Sequence, residues 1–238
     1  FTRSKGYGKG DMWILCLDTE GVLAWERIYG GAMDDRARTI TATPQGDGYV
    51  VAGTTQSKGA LEGDAWVIKI DQDGQQRWGQ TFGGKGEDGI FQISAHADGS
   101  LLATGYTDTG RPEGFNLWLL KLDAYGNVIW ERKFSKSVFD AGTAIEPTAD
   151  GGCIVAGLTS ENGFGDDQAW VLRLDPAGKL LWQHFLGGEK TDNAWALINQ
   201  DFHHYILVMA TSSLGFGSTD AWIVCFDIHG KKIWERSY

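Results

Sequence analysis

A stretch reading Asp64-Ala65-Trp66-Val67-Ile68-Lys69-Ile70-Asp71-Gln72-Asp73-Gly74-Gln75-Gln76-Arg77-Trp78 recurs five times, and this recurrence constrains the fold more than any other feature. Its first Trp is Trp13, Trp66, Trp118, Trp170 and Trp222, at steps of 53, 52, 52 and 52. Its second is Trp25, Trp78, Trp130, Trp182 and Trp234, at the same steps. These account for all but one of the 11 Trp, and only Trp195 lies outside the pattern. Between the two Trp of each copy stands Asp-x-x-Gly, as Asp18/Gly21, Asp71/Gly74, Asp123/Gly126, Asp175/Gly178 and Asp227/Gly230. A fixed period of this size marks an array of structural repeats. A repeat running unbroken through 238 residues argues for one domain.

Within each period the sequence predicts four β-strands. In the clearest copy these are Ile90–Ala95, Leu101–Tyr106, Leu117–Leu122 and Val128–Arg132. Each run is short, rich in β-branched and aromatic residues, and bounded by Gly or Asp. The runs are often apolar on both faces, as in sheets packed on both sides. Asp-x-x-Gly suits a four-residue hairpin loop, because Asp accepts a backbone N–H two residues on and Gly supplies a positive φ. No helical periodicity is present. A four-stranded unit of about 50 residues, repeated, is a β-propeller blade.

With strands A to D counted outward from the channel, full blades span 35–83, 88–135, 140–187 and 192–238. Residues 1–30 supply only a C–D hairpin and the loop before it. Phe1 aligns with Thr54, so the counterpart of Asp35–Gly53 is absent upstream. Four and a half blades imply a five-bladed ring or part of a larger propeller. A half blade also invites completion by another chain or domain, through strand addition at its edge.

The net charge of −10 argues against a nucleic-acid partner, since no basic stripe is available to release phosphate counterions. It equally disfavours an anionic membrane surface. No apolar run approaches 18 residues, so no membrane insertion by a helix is expected. Cys16, Cys153 and Cys225 are too few and scattered for a disulfide framework and read as small buried hydrophobes. No cofactor motif, Gly-x-Ser-x-Gly, His-Glu-x-x-His or phosphate loop occurs, and no enzyme activity is expected.

The string Trp25-Glu26-Arg27-Ile28-Tyr29-Gly30-Gly31, then Asp34-Asp35, Gly48-Tyr49-Val50-Val51-Ala52-Gly53-Thr54-Thr55 and Asp64-Ala65-Trp66-Val67-Ile68-Lys69-Ile70-Asp71 resembles the tandem repeats of secreted bacterial β-propeller proteins common in Bacteroidetes. That resemblance covers the whole chain. It implies export to the cell surface, periplasm or medium; the chain begins Phe1-Thr2-Arg3 without a signal peptide, which a processed or truncated start would have lost. It implies no particular activity. The sequence departs from the pattern at Ser135-Lys136, which replace Gly-Gly, at Met209, and at Asp201-Phe202-His203-His204, which replace an Asp-Gly turn. The C–D hairpin also resembles the tryptophan-docking repeat of quinoprotein dehydrogenases, without their cofactor site. On that likeness the ten repeat Trp are blade anchors rather than ligand contacts.

Candidate function was sought on the face shared by the D–A and B–C loops. Asp35, Asp88, Asp140 and Asp192, reinforced by Asp34 and Glu87, form a predicted ring of carboxylates that suits Ca²⁺; the alternative is that each Asp caps its own turn. In the B–C loops, Tyr7, Phe164 and Phe216 stand in Gly-aromatic-Gly settings, with Phe115 and Arg111 nearby. These suit stacking on a sugar or peptide; the alternative is that each ring tucks under its loop as a plug. The expected function is a non-enzymatic extracellular binding or assembly module for protein or glycan. The alternatives are a lectin-like reader on the loop face and a propeller hydrolase, lyase or quinoprotein-like enzyme using the channel.

Overall fold

A computed structural model describes residues 1–60, 62–108, 110, 114–161, 167–215 and 218–238. Among these residues the chain is all-β. The first unit is a hairpin of β1 (Met12–Leu17) and β2 (Leu23–Tyr29). Four units of four antiparallel strands follow. They are β3 (Asp35–Ala42), β4 (Tyr49–Thr55), β5 (Asp64–Ile70) and β6 (Gln76–Phe82); then β7 (Asp88–Ala95), β8 (Leu101–Asp108), β9 (Phe115–Leu122) and β10 (Val128–Phe134). The last two are β11 (Phe139–Pro147), β12 (Cys153–Ser160), β13 (Gln168–Leu174) and β14 (Leu180–Leu186), and β15 (Asp192–Asn199), β16 (His204–Thr211), β17 (Asp220–Asp227) and β18 (Lys232–Ser237). Strands run in sequence order across each unit. Parallel bridges also link units: Phe139 of β11 pairs with Phe115 of β9, joining two units into one sheet, and Gly10 pairs with Asp34. Among the described residues no strand pairing joins the last unit to the first.

The first strands of successive units are neighbours, β3 by β7, β7 by β11 and β11 by β15, so they form the inner side of the array. Each bears a β-bulge, at Ala37/Thr39, Ile90/Gln92, Gly142/Ala144 and Ala194/Ala196. A bulge bends an edge and re-aims its side chains. Hydrogen bonds then bridge adjacent units: Ile145 N donates to Gln92 Oε1 at 2.7 Å, and Thr143 Oγ1 to the Ala194 carbonyl at 2.7 Å.

Between units the core is a sandwich of two apolar faces. Val50, Ala52, Ala65 and Val67 of one unit pack with Ile90, Ile93, Leu101 and Leu120 of the next, all nearly fully buried. Burial on both faces explains the near-continuous apolar runs of the second and third strands.

The Asp-x-x-Gly turns carry the second lock. Asp71 Oδ1 accepts from Asp73 N and Gln75 N at 3.0 and 2.7 Å, and Asp123 and Asp175 repeat the pattern. Gly74 sits at φ 74, where a Cβ would also come within 2.8 Å of the Trp25 ring. That ring belongs to the preceding unit. Trp25 Nε1 donates to the Gln72 carbonyl at 2.8 Å, and Trp78, Trp130 and Trp182 donate to the carbonyls of Ala124, Pro176 and Ile228 at 3.1, 3.0 and 3.0 Å. Each of these four outer Trp therefore latches onto the hairpin turn one period ahead. Of the inner Trp, Trp66, Trp118, Trp170 and Trp222 are buried in the junctions, whereas Trp13 is partly exposed and donates to Glu26 at 2.9 Å. Trp234, the outer Trp of the last unit, is exposed.

Candidate functional site

Asp35, Asp88, Asp140 and Asp192 begin the first strands and are buried. Each turns one oxygen back on its own turn. Asp35 Oδ2 accepts from Gly31 N at 2.9 Å, Asp88 Oδ2 from Gly84 N at 2.7 Å, Asp140 Oδ2 from Lys136 N at 2.7 Å and Asp192 Oδ2 from Gly188 N at 2.9 Å. Asp35 and Asp192 are further bound by hydroxyls, those of Thr55 and Ser57 and of Thr211 and Ser213. A second Asp, at the start of the third strand, does the same for the B–C loop: Asp11 accepts from Tyr7 N at 2.9 Å and Asp64 from Ala60 N at 2.6 Å. Burial raises the Asp64 carboxyl above the usual range; the Ala60 N–H opposes this and the nearby Asp88 charge adds to it. The outer oxygens of Asp64, Asp88 and Asp140 are buried without a hydrogen-bond partner. Among the described residues no group of three or more His, Cys, Asp or Glu is placed to hold a metal ion.

The predicted aromatic readers separate. Tyr7 is 77% exposed on its loop. Phe115 is instead part of a row of rings, edge-on to Tyr106 at 5.1 Å and to Phe139 at 5.5 Å, at the seam joining two units. Arg111, Phe164 and Phe216 lie outside the described residues.

The opposite face holds a feature that the sequence reading did not single out. Four turns join first to second strands there, and each closes the same way: Thr43 N to Gly48 O at 3.0 Å, His96 N to Ser100 O at 2.8 Å, Thr148 N to Gly152 O at 3.0 Å and Gln200 N to His204 O at 3.0 Å. All four contribute to one cavity of about 480 Å³, with Pro44, His96, Glu146, Thr148, Asn199 and Phe202 among its lining. This size suits a small ligand. Several of its members are single departures from the repeat. Glu146 stands where the other units have Thr41, Ser94 and Ile198, and Asn199 where they have Ala42, Ala95 and Pro147.

Cross-turn bonds hold the wall in place. His96 Nε2 lies 3.3 Å from the Thr148 carbonyl, and Asn199 Nδ2 donates to the Pro147 carbonyl at 3.3 Å. Asn199 Oδ1 accepts from Phe202 N at 2.7 Å. That bond pins Phe202 at φ 62, the one positive φ outside glycine among the described residues. The equivalent stretches of the two preceding turns use Gly99 and Gly151 at φ 88 and 86. A bulky residue in this region is costly, and such outliers concentrate at functional sites. Phe202 keeps 56% of its surface exposed at the rim.

Glu146 supplies the charge. Its side chain is half-buried and makes no hydrogen bond or ion pair among the described residues. Burial pushes its carboxyl up to about 7. The neighbouring ionisable side chains already have partners. His96 Nδ1 meets Asp98 at 3.2 Å, His204 Nδ1 meets Asp201 at 2.9 Å, and the buried Arg173 meets Asp150 at 2.7 Å. No Lys or Arg lines the cavity among the described residues. The one signal in the sequence was the altered turn Asp201-Phe202-His203-His204.

Comparison with known proteins bears on the scaffold. No protein-family model and no curated protein matches the chain. Among solved structures it is similar to a member of the DUF4221 family from Bacteroides vulgatus, with a TM-score of 0.54 and 11% identity over 95% of this chain and 74% of that one. It is also similar to the Synechocystis apocarotenoid oxygenase, with a TM-score of 0.52 and 14% identity over 93% of this chain and 55% of that one. A third is the Pyrococcus horikoshii acylaminoacyl peptidase, with a TM-score of 0.50 and 13% identity over 95% of this chain and 34% of that one. The scaffold is of the β-propeller type. The chain spans only a third to three-quarters of these relatives, and identities this low speak for the fold alone.

Proposed function

We propose that this chain is a non-catalytic binding module, a β-propeller scaffold that holds its ligand at the mouth where the first-to-second-strand turns converge. The observation that carries this reading is the cavity of about 480 Å³ at which four turns converge and whose lining includes Glu146, His96, Asn199 and Phe202, residues their repeat counterparts lack. Repetition serves the scaffold, and recognition requires the differences. The resemblance to secreted bacterial repeat proteins supports a location outside the cell. The five copies of the repeat support a propeller of at least five such units. The test is a thermal-shift screen of the full chain against glycans, peptides and small solutes, repeated on Phe202→Ala. A hit that raises the melting temperature of the parent and not of the variant supports the reading. Turnover of any hit, abolished by Glu146→Gln, would replace it with the channel-enzyme reading, which the unpaired Glu146 beside His96 favours.

A further inference from the structure

The cavity combines three properties that select a ligand by chemistry. It has one carboxylate, Glu146, with no partner among the described residues. It has an aromatic ring, Phe202, held at the rim by a left-handed backbone that Asn199 pins through its side-chain oxygen. Its remaining walls are mostly small and apolar, from Pro44, Ala95, Ala97, Pro147 and Ala149. A neutral sugar would leave the carboxylate uncompensated in a desolvated place, and an anion would be repelled by it. A cation with an apolar surface satisfies the carboxylate, the ring face and the walls together. The net charge of −10 adds a field that draws cations toward the chain.

We propose that the cavity binds a small organic ammonium cation, with Glu146 as counter-ion and Phe202 as the face on which the cation rests. This rests on the binding-module reading and narrows its ligand. Because a cation pairs with the ionised carboxylate, affinity rises with pH as Glu146 loses its proton, the direction expected for a carboxyl that burial holds near 7. The other groups facing this region are the His96–Asp98 pair from the turn before, the Asp150–Arg173 pair from the turn of its own unit, and Asp201, His204 and Tyr205 from the last unit. Asp201 is held at about 2 by its bonds from His204 and His203, so it stays charged through neutral pH. The buried Tyr205 hydroxyl is pushed up to about 12 by burial and stays neutral there.

The experiment is titration calorimetry of the full chain with choline and with its neutral carbon isostere, 3,3-dimethylbutan-1-ol. Choline does not titrate, so any pH dependence belongs to the protein. Expected results are binding of choline at pH 8, at least about tenfold weaker binding of the isostere, and a loss of about tenfold in choline affinity at pH 6. Glu146→Gln should abolish the preference for choline over the isostere. Phe202→Ala should weaken choline about tenfold. If Glu146→Gln fails to fold, the choline–isostere comparison and the pH series on the parent chain still decide. A further arm titrates a short lysine peptide, and tighter binding than choline assigns the ammonium to polypeptide rather than to a free solute. Equal affinity for choline and isostere, lost on Phe202→Ala, overturns the cation assignment and leaves the binding module standing. Absence of binding by choline and peptide overturns the cation assignment, and the wider ligand screen then judges the module by itself.

Discussion

Replacing Glu146 by Gln should stabilise the folded chain above neutral pH and leave it unchanged in acid. The carboxyl is raised from an ordinary 4.5 to about 7 in the fold, and burial is the cause. Well below pH 4.5 both the folded and the unfolded chain hold this proton. As pH rises toward 7 the unfolded chain releases it first, so folding is progressively penalised, and the penalty is complete above pH 7. A displacement of that size corresponds to roughly 3 kcal/mol. Glu146 keeps contact with solvent through the cavity, so screening reduces this to about 1–2 kcal/mol. Gln fills nearly the same volume without the charge. Thermal melts followed by tryptophan fluorescence should place the variant about 3–6 °C above the parent at pH 8. The two should coincide at about pH 3.5, where both states keep the proton. A variant no more stable than the parent at pH 8, or one equally stabilised at both values, would refute the argument that Glu146 is desolvated and unpaired.

Three other perturbations address the scaffold and the rim. Asp192→Ala removes the acceptor for Gly188 N and for the hydroxyls of Thr211 and Ser213, and should cost about 3 kcal/mol in a denaturant melt, with partial recovery in Asp192→Asn. Trp130→Phe keeps much of the packing and loses the 3.0 Å bond to the Pro176 carbonyl, so it should cost about 1 kcal/mol, against about 3–5 kcal/mol for Trp130→Ala. Phe202→Gly relieves the positive φ and should stabilise by about 1 kcal/mol in the same assay while abolishing ligand-induced shifts; a destabilised variant would mean that the ring holds the turn together.

The scaffold was legible because its signals repeat. Five copies of Trp and Asp-x-x-Gly at one period fix strand count, turn type and latch, and the structure returns the predicted strands with ends extended by a residue or two, as in β7 and β9. The aspartates at the strand starts were legible as residues and ambiguous as chemistry. Only the backbone N–H groups they accept from reveal how each is used. The cavity was illegible for the converse reason. Glu146, Asn199 and His96 each occur once at their repeat position, and a reading tuned to periodicity treats single departures as noise. Nor does the sequence state that Pro44 and Phe202, 158 positions apart, line the same mouth. The curvature set by four bulged inner strands brings them together.

The tryptophan latch spans 46 or 47 residues, from an outer Trp to the carbonyl inside the next hairpin. Its reach fits inside a single period. Loss or duplication of one whole period in the gene therefore leaves every remaining latch with a partner, whereas an insertion of part of a period leaves one Trp facing the wrong turn. Such a chain can change length in steps of 52 residues without redesigning its contacts, and the residues that give it a purpose are free to drift in the few places the latch never touches.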